Sequence, residues 1–417
     1  MSLAYFALIL SVVSASILEI AGTTFGAQLG MAAAALSLLA ASLNAGKADY
    51  DHYLRATSWV RWVLIVIPIF IAAQLLPAWL ALAHPIWTSA YDALGGLPLG
   101  YITADFGQTL NALFLALAAL SLLGVTITVA RDRRRAELIL FVLSGVTTLS
   151  ALVLDLRISP ALADGLAAPL GGFGLLLNLA VMQLAAERAE THHALSRSIA
   201  TGLYGLVGAL ITALAVYGFS NTNSAVAISF GIVLFLLILI IRRLDLSPLA
   251  ASALAAAALI GAGIVLTFVF EKDSGSALLR LSPELAGDAK ATLERMLADT
   301  RWLGGGAGGF AALARIYQSD AGESLAAPST ATAIFVDMGW IGLAAVIAVT
   351  AALLLRLVFG ALTRGRDSFF AAAAAACLCF ALVEAFAGPG LLRPAAAFCL
   401  SVMVGLGLSQ SVSQSSR

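Results

Sequence analysis

The chemistry available to this chain is concentrated in one stretch. Between Glu271 and Thr330 lie six of its 23 Lys and Arg residues: Lys272, Arg280, Lys290, Arg295, Arg301 and Arg315. At the centre runs Arg301-Trp302-Leu303-Gly304-Gly305-Gly306-Ala307-Gly308-Gly309-Phe310, with Tyr317 following. Arginine carries a planar fork of donors suited to bidentate contact with phosphate, and Arg295, Arg301 and Arg315 bracket the glycines. The glycine run has two readings. It is a turn that reverses the chain without steric cost, or a nest in which backbone N–H groups, at Gly304, Gly306 and Gly308 among others, point at an anion. No Gly-Lys-Ser/Thr follows, so it is not a nucleotide P-loop.

The other chemically capable residues are acids. Glu19, Asp337 and Glu384 fall inside apolar runs, and Asp155 lies near the end of one. An acid within a membrane span is a functional candidate by default. Asp337 and Glu384 stand near the outer ends of their runs and are the candidates for a base toward a hydroxyl group; a helix-packing hydrogen bond is the structural alternative for both. Glu19 has no evident partner. The histidines do not form a metal set, since His52, His192 and His193 fall on one side of the membrane and His84 stands alone. No Gly-x-Ser-x-Gly nucleophile elbow occurs. Cys377, Cys379 and Cys399 all sit in apolar runs and read as small core residues.

The elements that position these residues are set by composition. The chain is 61% hydrophobic and 11% charged, against about 25% charged in soluble domains. Only lipid can serve as solvent for so much apolar surface, and a span needs about 20 mostly apolar residues. Twelve runs qualify: 2–22, 26–45, 62–83, 108–130, 136–155, 166–186, 200–219, 224–242, 248–270, 332–355, 368–387 and 395–411. They are continuous, without the period-two alternation of a membrane barrel. The expected fold is therefore an all-α polytopic membrane bundle: spans one to nine within 1–270, a long outer loop at 271–331, and three further spans within 332–417. The first run has no positive region ahead of it and reads as a retained span. No basic stripe interleaved with aromatics points to nucleic acid.

Orientation follows from Lys and Arg in short loops. Lys47, Arg55, Arg61, Arg131, Arg133, Arg134, Arg135, Arg188, Arg197, Arg242, Arg243, Arg356, Arg364, Arg366 and Arg417 share a side with the N-terminus. Only Arg157 and Arg393 occupy short loops on the other side. Both termini are thus expected in the cytoplasm and the long loop outside. Within that loop, Ser282-Pro283-Glu284 reads as a helix start. Leu285, Ala289, Leu293, Met296 and Leu297 then recur at helical spacing, opposite Asp288, Glu294, Arg295 and Asp299. This amphipathic helix ends at the glycines. Phe310 to Tyr317 forms a second short helix, and Gln318 to Pro328 leads back to the membrane. A further outer segment, His84 to Phe106, is rich in aromatics; it is an interfacial belt or part of the roof of a cavity.

The order of these motifs is similar to that of a known family. An arginine-bearing helix, a Trp-Leu-Gly-Gly-Gly-Ala-Gly-Gly-Phe turn, Tyr317 and then Asp337-Met338-Gly339-Trp340-Ile341-Gly342 resembles the O-antigen ligase and lipid-linked polysaccharide polymerase superfamily. Gln74-Leu75-Leu76-Pro77, Ala104-Asp105 and Arg131-Asp132-Arg133-Arg134-Arg135 fit the same pattern. The resemblance implies a GT-C-like membrane fold in the bacterial inner membrane. It also implies transfer of a glycan from undecaprenyl pyrophosphate to an acceptor glycan or glycolipid at the periplasmic face, without metal or other cofactor. Membrane lipids and polysaccharide assembly proteins are the implied partners. Arginines hold the pyrophosphate in that family; the family's own arginine positions do not carry over, so a divergent branch would use Arg295, Arg301 and Arg315 instead, with Tyr317 following them. The sequence departs from the pattern at several points. The family's His-Asn pair falls on Pro328-Ser329, its Ser-Arg-Gly near Thr222-Asn223-Ser224, and its first outer arginine near Ala286. Its Asn pair in the sixth span is reduced to Asn178. These departures motivate a second reading, a non-catalytic membrane component of a polysaccharide assembly system.

Overall fold

The computed structural model describes residues 2–22, 25–77, 83–96, 100–156, 160–190, 195–219, 222–244, 261, 278–279, 287–318, 325–363 and 367–412. Within them the chain is all-helical, and nine helices are long and apolar enough to cross a membrane, or ten if one bent pair counts as a span. All but residue 261 of the expected span at 248–270 lies outside the described residues, as do Lys272, Arg280 and the Ser282-Pro283-Glu284 helix start.

In chain order the helices are α1 Ser2–Ile20, α2 Phe25–Asn44, α3 Lys47–Thr57, α4 Arg61–Leu64, α5 Val66–Gln74 and α6 Pro85–Leu94. Then follow α7 Phe106–Val129, α8 Arg133–Asp155, α9 Pro160–Glu190, α10 Leu195–Phe219 and α11 Thr222–Arg243. The outer loop contributes α12 Gly287–Asp299 and α13 Phe310–Tyr317, and the chain closes with α14 Thr330–Thr363, α15 Ser368–Ala387 and α16 Pro394–Gln410.

The centre of the bundle is α15. Its run Phe369 to Cys377 is fully buried, including six consecutive alanines, and α9, α11, α14 and α16 pack around it. Without a hydrophobic driving force between spans, close packing of small residues and interhelical hydrogen bonds hold them together. The Phe380 ring fills the space left by Gly172 and meets Phe173 edge-on at 5.4 Å. Asn178 is one of the polar links. Its Nδ2 donates to Thr148 Oγ1 and to the Gly174 carbonyl, both at 2.8 Å, and its Oδ1 accepts from Ser144 Oγ at 2.7 Å. It joins α9 to α8, far from the outer loop. Leu10, Leu39, Leu214 and Phe359, by contrast, are exposed on the bundle's outside, where lipid would cover them.

The expected span at 62–83 is corrected. The chain here bends by 85° between α3 and the pair α4–α5, and α5 ends at Gln74. Pro68 has no N–H to donate to the Leu64 carbonyl, which breaks the helix at Ile65. The expected span at 332–355 is longer, α14, and is broken at Gly339, whose φ is +67°. The end of α5 at Gln74 and the break at Gly339 frame the outer loop.

The two ends of the bundle differ in charge. Arg131 pairs with Asp49 at 2.8 Å, Arg133 with Glu137 at 3.0 Å and Asp367 at 3.2 Å, and Arg188 with Glu137 at 2.6 Å. These lie at the end shared by the starts of α3, α8 and α15 and the end of α9. The glycine loop lies at the opposite end, with the starts of α7 and α14.

Candidate functional site

The glycine loop is a ledge clasped between α5, α7 and α14. Each amide from Gly304 to Gly309 donates to a protein acceptor. Gly304 N–H donates to the Arg301 carbonyl at 3.0 Å, Gly305 to Val336 at 2.9 Å, Gly306 to Asp337 at 2.8 Å and Gly309 to Gly306 at 3.0 Å. Ala307 N–H donates to Gln74 Oε1 at 3.0 Å, and Gly308 N–H to the Asp337 carboxylate, Oδ2, at 2.8 Å. Gln74 Nε2 in turn donates to the Leu303 and Asp337 carbonyls at 2.8 and 3.0 Å. The loop is thus a nest, but the group it surrounds is the chain's own Asp337 carboxyl. The amides of Gly304, Gly306 and Gly308, expected to add hydrogen bonds to a phosphate, are already engaged. The turn reading accounts for the glycines: Gly306 has φ +107°, and a Cβ there would run into the Thr103 hydroxyl. Gly339 answers from the other side, where a Cβ would meet the Trp302 carbonyl.

Asp337 is buried beneath this ledge and does not line the hollow above it. Glu384 is fully buried at another point of the same end, where its Oε1 accepts from Ser224 Oγ at 3.1 Å and Gly388 N–H donates to its carbonyl at 2.9 Å. Neither carboxylate faces a surface where an acceptor hydroxyl would arrive, so neither is carried forward as a base. Glu19, without a partner in sequence, caps α16: its Oε2 accepts from Ala395 N–H at 2.8 Å.

Above the ledge is a hollow of about 500 Å³ lined by His84, Pro85, Ile86, Ser89, Met296, Asp299, Thr300, Arg301, Gly304, Gly305, Leu313, Ile316, Tyr317 and Val336. α12 and α13 form one wall, packing on each other through buried Leu293, Met296, Phe310 and Leu313. α6 forms the other, with His84 as its N-cap and Pro85 at its first position. Trp87 anchors that wall, its Nε1 donating to the Thr103 carbonyl at 2.8 Å and its ring meeting Tyr101 edge-on at 5.5 Å. The aromatic segment therefore roofs one side of the hollow.

Of the three expected arginines, Arg301 lines the hollow and Arg295 and Arg315 do not. Arg301 Nη1 donates to the Ala83 carbonyl at 3.1 Å. The Arg295 guanidinium folds back on its own helix, toward Ala291 and Thr292, both at 3.3 Å; Arg315 is exposed on α13. Tyr317 lines the hollow and donates its hydroxyl to Asp299 Oδ2 at 3.1 Å. Burial, and then the hydrogen bond to and charge of Asp299, push the Tyr317 phenol above its ordinary range. Burial and the neighbouring Arg301 charge push His84 below its ordinary value, which favours the neutral imidazole.

Two hollow residues escaped the sequence reading. His84 is separated from Arg301 by about half of the chain, and its one local signal was the His84-Pro85 helix start. Asp299 was visible only as the polar face of α12. No protein-family model matches the chain, and no curated protein matches it in sequence.

Proposed function

We propose that this chain is a membrane glycosyltransferase of surface polysaccharide assembly. It transfers or polymerises an undecaprenyl-pyrophosphate-linked saccharide at the periplasmic face of the bacterial inner membrane, in the manner of O-antigen ligases and polymerases. The observation that carries this reading is the hollow that Arg301, His84, Asp299 and Tyr317 line together, with an apolar lining of Ile86, Met296, Leu313 and Ile316. A ligand that is half lipid and half phosphate-sugar needs both kinds of wall.

In the proposed step the acceptor hydroxyl oxygen attacks the anomeric carbon of the donor sugar. The bond from that carbon to the pyrophosphate oxygen breaks, and its electron pair leaves with the phosphate. Arg301 neutralises the charge that develops there, the role a fixed cation plays for any leaving anion. The hydroxyl proton passes to Asp299, the carboxylate of the hollow, which Tyr317 holds in place.

Arg301→Ala is expected to lower transfer by about a hundredfold or more, the usual cost of losing one preorganised contact to a developing anion, while the protein still reaches the membrane. Surface polysaccharide yield and length in cells complemented with the variant measure this; normal polymer removes the assignment. The second reading, a non-catalytic membrane component of an assembly system, is favoured by Arg295 and Arg315 lying off the hollow. It predicts unchanged polymer for Arg301→Ala, Asp299→Asn and Tyr317→Phe alike.

A further inference from the structure

Arg301 enters the hollow without a carboxylate partner: none of the ion pairs among the described residues includes it. Its Nη1 is fixed to the carbonyl of Ala83, the residue before His84. The guanidinium is therefore tethered beside the imidazole, with other donors left for a ligand. His84 is held as tightly. Its backbone N–H donates to the Tyr101 carbonyl at 2.8 Å, and its Nδ1 accepts from Ile86 N–H at 3.4 Å. A ring nitrogen that accepts a hydrogen bond carries no proton, so in the neutral ring the proton sits on Nε2. Nε2 is also the atom turned toward the ledge, 3.7 Å from where a Cβ on Gly305 would stand.

We infer that His84 and Arg301 form a two-pronged phosphate clamp, His84 through its Nε2–H and Arg301 through its guanidinium. The inference rests on the glycosyltransferase reading for the class of ligand, a polyprenyl pyrophosphate. The glycine amides are spent within the chain, so the clamp supplies the donors those amides do not. Two donors from two separate segments also fix a phosphate's orientation, which one arginine alone does not. On the far side of the hollow, Asp299 from α12 and Tyr317 from α13 form a hydrogen-bonded pair, so the charge of the site is divided: cationic at the α6 wall, acidic at the α12–α13 wall.

This arrangement has a proton signature. The charged and titratable groups facing His84 across the hollow are Arg301 from the ledge, Asp299 from α12 and Tyr317 from α13; α6 itself adds none to the lining. Burial, and then the Arg301 charge, hold His84 below its ordinary value. A bound phosphate adds negative charge beside both groups and favours the imidazolium, whose second proton goes to Nδ1 and displaces the long 3.4 Å contact from Ile86 N–H, so binding takes up a proton. Affinity then rises as pH falls through the histidine range.

The test uses the full chain purified in detergent and titrated calorimetrically with farnesyl pyrophosphate, inorganic pyrophosphate and farnesol. Farnesyl pyrophosphate is expected to bind. His84→Ala weakens it about tenfold to a hundredfold, the worth of one hydrogen bond to a charged group. His84→Gln, whose amide N–H reaches the Nε2 position, keeps most of the affinity. From about pH 8 to about pH 6 the wild type tightens more steeply than His84→Gln, the ligand's own titration being common to both. Equal affinity for inorganic pyrophosphate keeps the clamp but assigns it to free phosphate rather than to a lipid headgroup. His84→Ala binding as tightly as the wild type, or a wild-type pH slope no steeper than that of His84→Gln, overturns the clamp and leaves the transferase reading on Arg301. Farnesyl pyrophosphate binding no better than farnesol overturns both.

Discussion

Asp337 provides two acceptors to the glycine ledge, its carbonyl to Gly306 and its carboxylate to Gly308, and the amides of Gly309 and Phe310 face the same carboxylate. The carboxyl group is thus set at the start of α13, against the first amides of that helix. This makes Asp337 a positioning residue: it fixes the loop that carries Arg301 on one side and α13 with Tyr317 on the other. Asp337→Ala is expected to cost about 1.5–3 kcal/mol, the worth of a hydrogen bond to a charged group. Asp337→Asn keeps an oxygen for Gly308 N–H and most of the stability. Thermal unfolding in detergent, paired with a transfer assay, separates this role from proton transfer. A folded Asp337→Asn protein with Ala-like loss of activity would restore the carboxylate as a base.

At the scale of elements, α5 and α14 stop or break where the ledge needs them. The hydropathy of residues 62–83 is continuous, so composition signals one span; the helix ends instead at Gln74, whose side chain makes three hydrogen bonds to the ledge. A pattern of apolar residues records which surface meets lipid, but not that one amide is needed elsewhere. The same limit applied to His84, whose meaning depends on α6 folding against a loop far along the chain. What periodicity does record was legible: α12 buries Leu293 and Met296 and exposes Glu294 and Arg295, and α13 spans the short helix expected from Phe310 to Tyr317. The glycines were legible as a turn, while the acceptors that fill their amides were not. Gln74→Leu should remove the tie between α5 and the ledge without altering helix propensity much. Three lost hydrogen bonds, with buried groups left unpaired, cost about 2–4 kcal/mol. Limited trypsinolysis in detergent should then cut after Arg301 at lower protease than in the wild type; an unchanged cleavage pattern would mean the ledge stands without Gln74.

For the whole molecule, the function proposed requires that the ledge face away from the cytoplasm, since a lipid-linked saccharide is met there. The sequence argument for that orientation is the bias of Lys and Arg in short loops. The fold adds that, among the described residues, Arg131, Arg133 and Arg188 gather at one end, tied by Arg131–Asp49, Arg133–Asp367 and Arg188–Glu137, while Arg301 and the hollow occupy the other. Two exposed tryptophans mark the ends: Trp59 is 83% exposed at the basic end and Trp302 is 77% exposed on the ledge. The native Cys377 and Cys399 are buried and Cys379 is half-buried in the middle of the span α15, where lipid rather than water would meet it, so background labelling should be low. In right-side-out spheroplasts a membrane-impermeant maleimide should label Trp302→Cys at once and Trp59→Cys only after lysis. The reverse pattern would put Arg301, His84 and Asp299 in the cytoplasm. There, a hollow built for a pyrophosphate lipid would meet the carrier before its export, and transfer at the outer face would be physically impossible.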